Sequence, residues 1–123
     1  MINVNQIYED YQSMTVEAIG VDYTCTLDEI INDLSMGMEE SPYRVFGDNA
    51  NSLIERKKLK VKTAEDEMNI ALSVFIIDLI ELNEDYFQDD LGVNDSTVFK
   101  FTFKGKTLFN GSYGELKKRY NSL

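Results

Sequence analysis

The chain has 123 residues and a formal net charge of −10, from 22 acidic and 12 basic side chains. Histidine is absent and Cys25 is the one cysteine, which excludes Ser-His-Asp and Cys-His catalytic pairs, the usual zinc sites and an internal disulfide. With 43% apolar residues, a chain of this length suits a single folded domain over residues 1–123 rather than a disordered acidic tail.

No segment has the character of a targeting or membrane-spanning sequence. The first residues, MINVNQIYEDYQ, lack the basic and apolar regions of a signal peptide. The most apolar run, residues 70–82, contains Asp78 and Glu81, and as a helix it would span about 20 Å of a hydrocarbon core of about 30 Å. We therefore expect a buried helix there and a soluble, cytoplasmic protein.

The first predicted elements are a short helix and a strand. Apolar and aromatic positions near the start indicate the helix, which Asn3 or Asn5 can cap. Residues 15–25 are rich in β-branched and aromatic types and favour a strand, with Gly20 as a bulge. Cys25, at the end of this strand, is predicted to be a small buried side chain.

Three helix starts follow. Thr26–Glu29 is a capping box, in which threonine precedes glutamate by three positions, and it opens a helix that ends near Gly37. Ser41-Pro42 can start another helical turn because proline suits the first helical position. Asp48 or Asn49 can cap a further helix that runs into a basic cluster.

The longest periodic segment predicts a central helix over residues 64–88, with acids in its first turn. One face is apolar and the opposite face is acidic at its ends, but the middle is apolar all round. We expect a core helix whose ends emerge into solvent. An interface with a partner or a second copy, and a strand over residues 69–77, are the alternatives.

The C-terminal part predicts a hairpin and a helix. Apolar and polar residues alternate over 99–103, and Lys104–Lys106 turns the chain into a second strand. Phe101 then faces Phe109, although a one-residue slip leaves the register open. A second capping box, Ser112–Glu115, opens the last helix. The sum is an α+β domain, mostly helical, with a small antiparallel sheet that includes this hairpin.

Charge is segregated along the chain. Residues 1–55 and 63–95 carry a net charge of −10 each, whereas residues 56–62 and 96–123 carry +5 each. This pattern suggests two surfaces of opposite sign and two hypotheses for binding.

The acidic hypothesis rests on the end of the central helix. Glu81, Asp85 and Asp89 are four positions apart, which gives about 6 Å between neighbours, a spacing comparable to that of phosphates along a nucleic-acid strand. Such a surface can occupy a basic groove and associates quickly because opposite fields steer the encounter, while aromatic side chains supply anchors. The plain alternative is a solvated face. The candidate partner-binding residues are Asp78, Glu81, Glu84, Asp85, Tyr86, Phe87, Asp89 and Asp90.

The basic hypothesis is a small DNA-binding regulator. Residues 53–61 can be interpreted as a recognition helix that runs into the wing of a winged helix, and the hairpin and last helix add further cations. Against this, the flanking acidic blocks would repel a duplex, and the cluster is otherwise an exposed face that pairs with neighbouring acids. The candidate nucleic-acid-binding residues are Arg56, Lys57, Lys58, Lys60 and Lys62.

Other chemistries find little support in the sequence. The acid-rich stretch 85–95 fails the ligand spacing of a calcium-binding EF-hand loop, and the glycines fit neither phosphate-binding fingerprint. Paired carboxylates for sugar hydrolysis would need aromatic platforms, and tryptophan is absent. We predict a non-enzymatic protein with no catalytic residues, no cofactor and no metal.

In general character the chain resembles small acidic proteins of phages and mobile elements from AT-rich Gram-positive bacteria. Frequent Asn, Lys, Ile and Tyr and the ending FKGKTLFNGSYGELKKRY carry the resemblance, which transfers no functional residue. It implies an inhibitor of the anti-CRISPR or anti-restriction type, some of which mimic nucleic acid. The basic blocks depart from uniformly acidic mimics.

The leading hypothesis is therefore an inhibitor that binds the basic surface of a nuclease or another nucleic-acid-binding protein. A toxin-immunity protein is an alternative. A phage structural or assembly protein is another, in which the apolar helix 70–82 packs against copies of itself.

Overall fold

A computed structural model describes residues 2–123 and shows the predicted α+β fold. Helices outnumber strands within this range. In chain order the elements are α1 (Val4–Tyr11), β1 (Thr15–Ala18), β2 (Tyr23–Thr26), α2 (Leu27–Met38), α3 (Pro42–Lys57), α4 (Ala64–Asp85), a π-helical turn (Tyr86–Asp90), β3 (Val98–Phe103), β4 (Lys106–Ser112) and α5 (Tyr113–Ser122).

The four strands form one antiparallel sheet in the order β2-β1-β3-β4. The predicted C-terminal hairpin is confirmed, and of the registers that the sequence left open the structure has Phe101 opposite Phe109. An irregularity between Phe101 and Thr102 shifts the pairing by one residue, so Thr102 faces Thr107. The predicted helix follows the hairpin as α5.

The single strand expected over residues 15–25 is wrong, because this segment forms a hairpin of its own. β1 pairs with β2, with Val16 opposite Cys25, and β1 also pairs with β3. Gly20 lies in the turn between the strands with a φ of 87°, a conformation that glycine adopts without strain, and so it is no bulge. Cys25 is buried, as predicted.

Side-chain caps set the helix starts as the sequence predicts. The Asn3 side chain accepts a hydrogen bond from the Gln6 amide at the start of α1. Complete capping boxes begin α2, α4 and α5, at Thr26, Thr63 and Ser112.

The helix start predicted at Asp48 or Asn49 is wrong. Ser41 caps α3 seven positions before Asp48, with proline next, so the helix is continuous and both residues lie inside it. The winged-helix interpretation is also wrong, since residues 58–63 have no regular structure and lead into α4 rather than into a strand. Residues 69–77 are helical, which excludes the alternative strand.

Helix α4 forms the centre of the core, as predicted. Nearly every side chain from Ile70 to Ile80 is buried, and helices α1, α2, α3 and α5 all contact α4. On the sheet side, the Phe75 ring meets Phe101 edge-on with 5.2 Å between the ring centroids. No helix within residues 2–123 combines the length and the hydropathy needed to cross a bilayer.

Candidate protein-interaction surface

The end of α4 and the π-helical turn carry most of the predicted partner-binding residues to the surface. Glu81, Asp85, Asp89 and Asp90 are exposed and Glu84 is half-buried. Two large side chains beside them are also open to solvent, Leu82 at 46% exposure and Tyr86 at 43%. We call this set the acidic face: Glu81, Leu82, Glu84, Asp85, Tyr86, Asp89 and Asp90.

Two predicted members of the partner-binding set do not lie on the surface. Asp78 is only 4% exposed and Phe87 is 0% exposed. Asp78 is buried because α3 packs against this side of α4 and its Asn49 amide donates to both carboxylate oxygens, at 3.0 and 3.2 Å. Phe87 is buried because its ring fills the space between α4 and the sheet, against Tyr23 and Phe99. Neither side chain is available as a surface contact.

The regular carboxylate row predicted on this helix ends at Asp85. From Tyr86 onward the chain forms a π-helical turn, in which the Leu91 amide donates to the carbonyl of Tyr86, five residues back, at 3.3 Å. The wider turn breaks the four-residue repeat, so Asp89 does not continue the line of Glu81 and Asp85. The carboxylates form a cluster rather than an evenly spaced ladder.

Tyr86 is held in place by an aromatic group at the sheet edge. Its ring centroid lies 6.3 Å from that of Tyr23, on the edge strand β2, and 6.2 Å from that of Phe87. Tyr23 meets Phe87 edge-on at 4.9 Å. The exposed Tyr86 ring therefore lies beside half-buried Tyr23 and buried Phe87, which limits its motion before any partner binds.

Helix α2 adds acids on the side of this aromatic group, which the sequence did not identify as part of the site. Burial raises the pKa of Tyr23, and the nearby Glu29 carboxylate raises it further. Burial also raises the pKa of the Cys25 thiol to about 11, with Glu29 and Asp33 contributing. The Glu29 carboxylate accepts a hydrogen bond of 3.0 Å from the Thr26 amide, at the end of β2. In the sequence, the position of Glu29 was indicated by the capping box at Thr26, which starts α2 directly after β2.

The carboxylates of the acidic face form no ion pair within residues 2–123. The ion pairs formed within residues 2–123 join Arg44 to Glu40 and Asp48, and Lys117 to Asp95. None involves a carboxylate between residues 81 and 90. The Glu81 carboxylate accepts a short hydrogen bond of 2.6 Å from the Tyr120 hydroxyl, which is a neutral donor. The negative charge of this face is therefore open to a partner.

The predicted nucleic-acid-binding residues lie on another part of the surface, and α5 joins them there. All five are exposed. The Lys57 ammonium donates to the Ser122 carbonyl at 2.8 Å, which ties the end of α3 to the end of α5. The ends of α3 and α5, far apart in the sequence, are thereby brought together, and Arg119 lines the same pocket as Lys57 and Lys60. We call this set the basic face: Arg56, Lys57, Lys58, Lys60, Lys62 and Arg119.

The two faces meet along one edge of the molecule. Arg56 and Glu81 both line a shallow pocket of about 250 Å³ beside Tyr120, and Arg56 lies close enough to Tyr120 to lower its pKa against the larger upward effect of Glu81. The protein thus has separate positive and negative surfaces that share a border at α5.

No group of three or more Cys, Asp or Glu side chains in the described part of the chain is placed to hold a metal ion. No protein-family model, no curated protein and no solved structure shows significant similarity to the chain.

Proposed function

We propose that this protein is a non-enzymatic inhibitor in the cytoplasm that binds the basic surface of a nucleic-acid-binding effector, for example a CRISPR nuclease. The observation that carries the proposal is the acidic face. Five carboxylates there surround two exposed apolar side chains, and no lysine or arginine within residues 2–123 pairs with them.

Open carboxylates and fixed apolar groups have complementary roles in such an interface. The carboxylates attract a basic surface from a distance and accelerate encounter. Leu82 and Tyr86 provide apolar surface that is desolvated when the partner binds. Tyr86 loses little freedom on binding because Tyr23 and Phe87 already support it. The clustered rather than evenly spaced carboxylates favour charge complementarity over imitation of a regular phosphate strand.

Charge reversal on the acidic face is expected to slow association. We predict that Asp85→Lys with Asp89→Lys lowers the association rate constant by about tenfold or more at low salt, because steering depends on the local field. The measurement is a pull-down from host cells that carry a candidate effector, at low and high salt. The purified partner is then followed by stopped-flow or biosensor kinetics.

The matched control is Asp10→Lys with Glu17→Lys, which makes the same charge change at exposed positions on α1 and β1. We expect a much smaller effect from this pair. An equal effect of both pairs, or an association rate that does not change with salt, would contradict a specific role for the acidic face.

A second candidate function is binding to DNA or RNA through the basic face. The observation in its favour is the contact between Lys57 of α3 and Ser122 of α5. This contact places Arg119 near Lys57 and Lys60, from which it is separated in the sequence. If this function holds, the protein retards DNA in a gel shift at moderate salt, and Lys58→Gln with Lys60→Gln weakens that binding. Retardation that this pair leaves unchanged, or no retardation at all, would count against it.

A further inference from the structure

A cleft of about 370 Å³ lies within the basic face, between the end of α3, the start of α4 and the end of α5. This volume falls in the roughly 300–1,000 Å³ range of small-molecule sites. Its apolar lining comes from α3, from α4, from the segment that connects these two helices and from the residue after α5. Asn69 and Ser73 add neutral hydrogen-bonding groups. The apolar residues of the lining are Leu53, Leu59, Val61, Ile70 and Leu123.

Three cations border the same cleft: Lys57, Lys60 and Arg119. Lys57 uses one donor for the Ser122 carbonyl and keeps two free, and Lys60 is exposed. Arg119 stands over the Phe109 ring, 5.9 Å from its centroid, and this contact restrains its guanidinium. None of the three forms an ion pair within residues 2–123.

The one acidic side chain in the lining is already occupied. The Asp66 carboxylate accepts hydrogen bonds from the Lys62 amide at 3.0 Å and the Thr63 amide at 3.1 Å, which hold its pKa below the ordinary value. It completes the capping box that begins α4 at Thr63. Counting a terminal carboxylate on Leu123 as well still leaves a net positive charge, so the cleft favours an anion.

We propose that this cleft binds a phosphate monoester that carries an apolar group, of about the size of a mononucleotide. The phosphate lies among Lys57, Lys60 and Arg119, and the organic group lies on the apolar floor formed by Leu59, Val61 and Ile70. Lysine and arginine are the side chains best suited to phosphate, and arginine adds a two-point contact. The site is separate from the acidic face and does not depend on the inhibitor function.

The test is a titration of the full chain, labelled with ¹⁵N, with the four nucleoside 5′-monophosphates, and with inorganic phosphate and adenosine as partial ligands. At least one nucleotide is expected to saturate the protein, with shifts concentrated in residues 57–73 and 119–123. Inorganic phosphate and adenosine are each expected to bind about tenfold more weakly or worse, because each offers half of the contacts.

Lys60→Gln with Arg119→Gln is expected to weaken nucleotide binding by about tenfold or more, since it removes two charge-assisted contacts. Lys100→Gln with Lys104→Gln, an equal charge change on the β3–β4 hairpin, should leave it nearly unchanged. The proposal is overturned if no nucleotide saturates at millimolar concentration, if inorganic phosphate binds as well as the nucleotides, or if both variants weaken binding equally.

Discussion

Replacing Phe87 with alanine is expected to lower the free energy of unfolding by about 3–5 kcal/mol. The ring is fully buried and lies 4.9 Å from Tyr23, 5.5 Å from Phe99 and 6.2 Å from Tyr113, measured between ring centroids. It therefore joins the end of α4 to both the sheet and α5. Removing it leaves a cavity among aromatic side chains that cannot close easily. Urea denaturation measures the loss.

Tyr86→Ala is the matched control because it alters the neighbouring aromatic residue, which is 43% exposed. It is expected to cost less than about 1 kcal/mol in stability. Its main effect should be weaker binding of a partner to the acidic face. If Tyr86→Ala destabilised the fold as strongly as Phe87→Ala, the assignment of one ring to the core and the other to the surface would be wrong.

The stability of the protein should fall as pH rises from about 4 to 7, in part because of Asp78. Burial raises the pKa of this carboxyl to about 7, with Glu81 adding to the rise and the hydrogen bond from Asn49 opposing it. Glu40, Asp48 and Arg44 line the same small pocket. The ordinary pKa of 3.8 applies to the unfolded chain.

The sign follows from which state holds the proton. Below about pH 4 the carboxyl is protonated in both the folded and the unfolded state, so it adds nothing to the pH dependence of stability. Between about 4 and 7 only the folded state keeps the proton, so each rise in pH favours unfolding. Above about 7 the folded state must bury a charge, and the full cost reaches up to about 4 kcal/mol.

Asp78→Asn is expected to remove this dependence. The variant should be more stable than the parent protein at pH 8 by up to about 4 kcal/mol, and the difference should vanish near pH 4. Asp48→Asn, at an exposed carboxylate of the same pocket, should stay within about 0.5 kcal/mol of the parent. Urea denaturation at pH 4.5, 6 and 8 measures all three proteins. A difference for Asp78→Asn that does not change with pH would contradict the account.

Features set by neighbouring residues were predictable from the sequence. The capping boxes at Thr26 and Ser112 involve residues three positions apart, so their signals are local and both helix starts agree with the structure. The alternation over residues 99–103 likewise predicted a strand and a hairpin, whereas the sequence left the register open and the structure pairs Phe101 with Phe109.

Features set by tertiary packing were not predictable. Residues 15–25 have strand propensity throughout, and only the pairing of β1 with β3 and β2 shows that Gly20 interrupts them. Asn49 has the character of a helix cap, but its partner is Asp78, 29 positions away. Helical spacing alone could not show that α3 covers Asp78, and so the predicted partner-binding set included a buried carboxylate.

The structure shows where the charge blocks of the sequence lie in space. They predicted two surfaces of opposite sign, but not that the ends of α3 and α5 would meet. Lys57 and Ser122 join them, whereas the acids of residues 81–90 remain without ion pairs in the described range. Internal neutralisation of the acids by the lysine-rich segments, which would have removed the basis for the proposed function, does not occur at this face.

Hydrogen exchange of the protein bound to its captured partner tests the proposed function most directly. We expect the amides of residues 81–90 to become protected on binding, while those of residues 56–62 do not change. Protection confined to residues 56–62 and α5, with residues 81–90 exchanging as in the free protein, would contradict it.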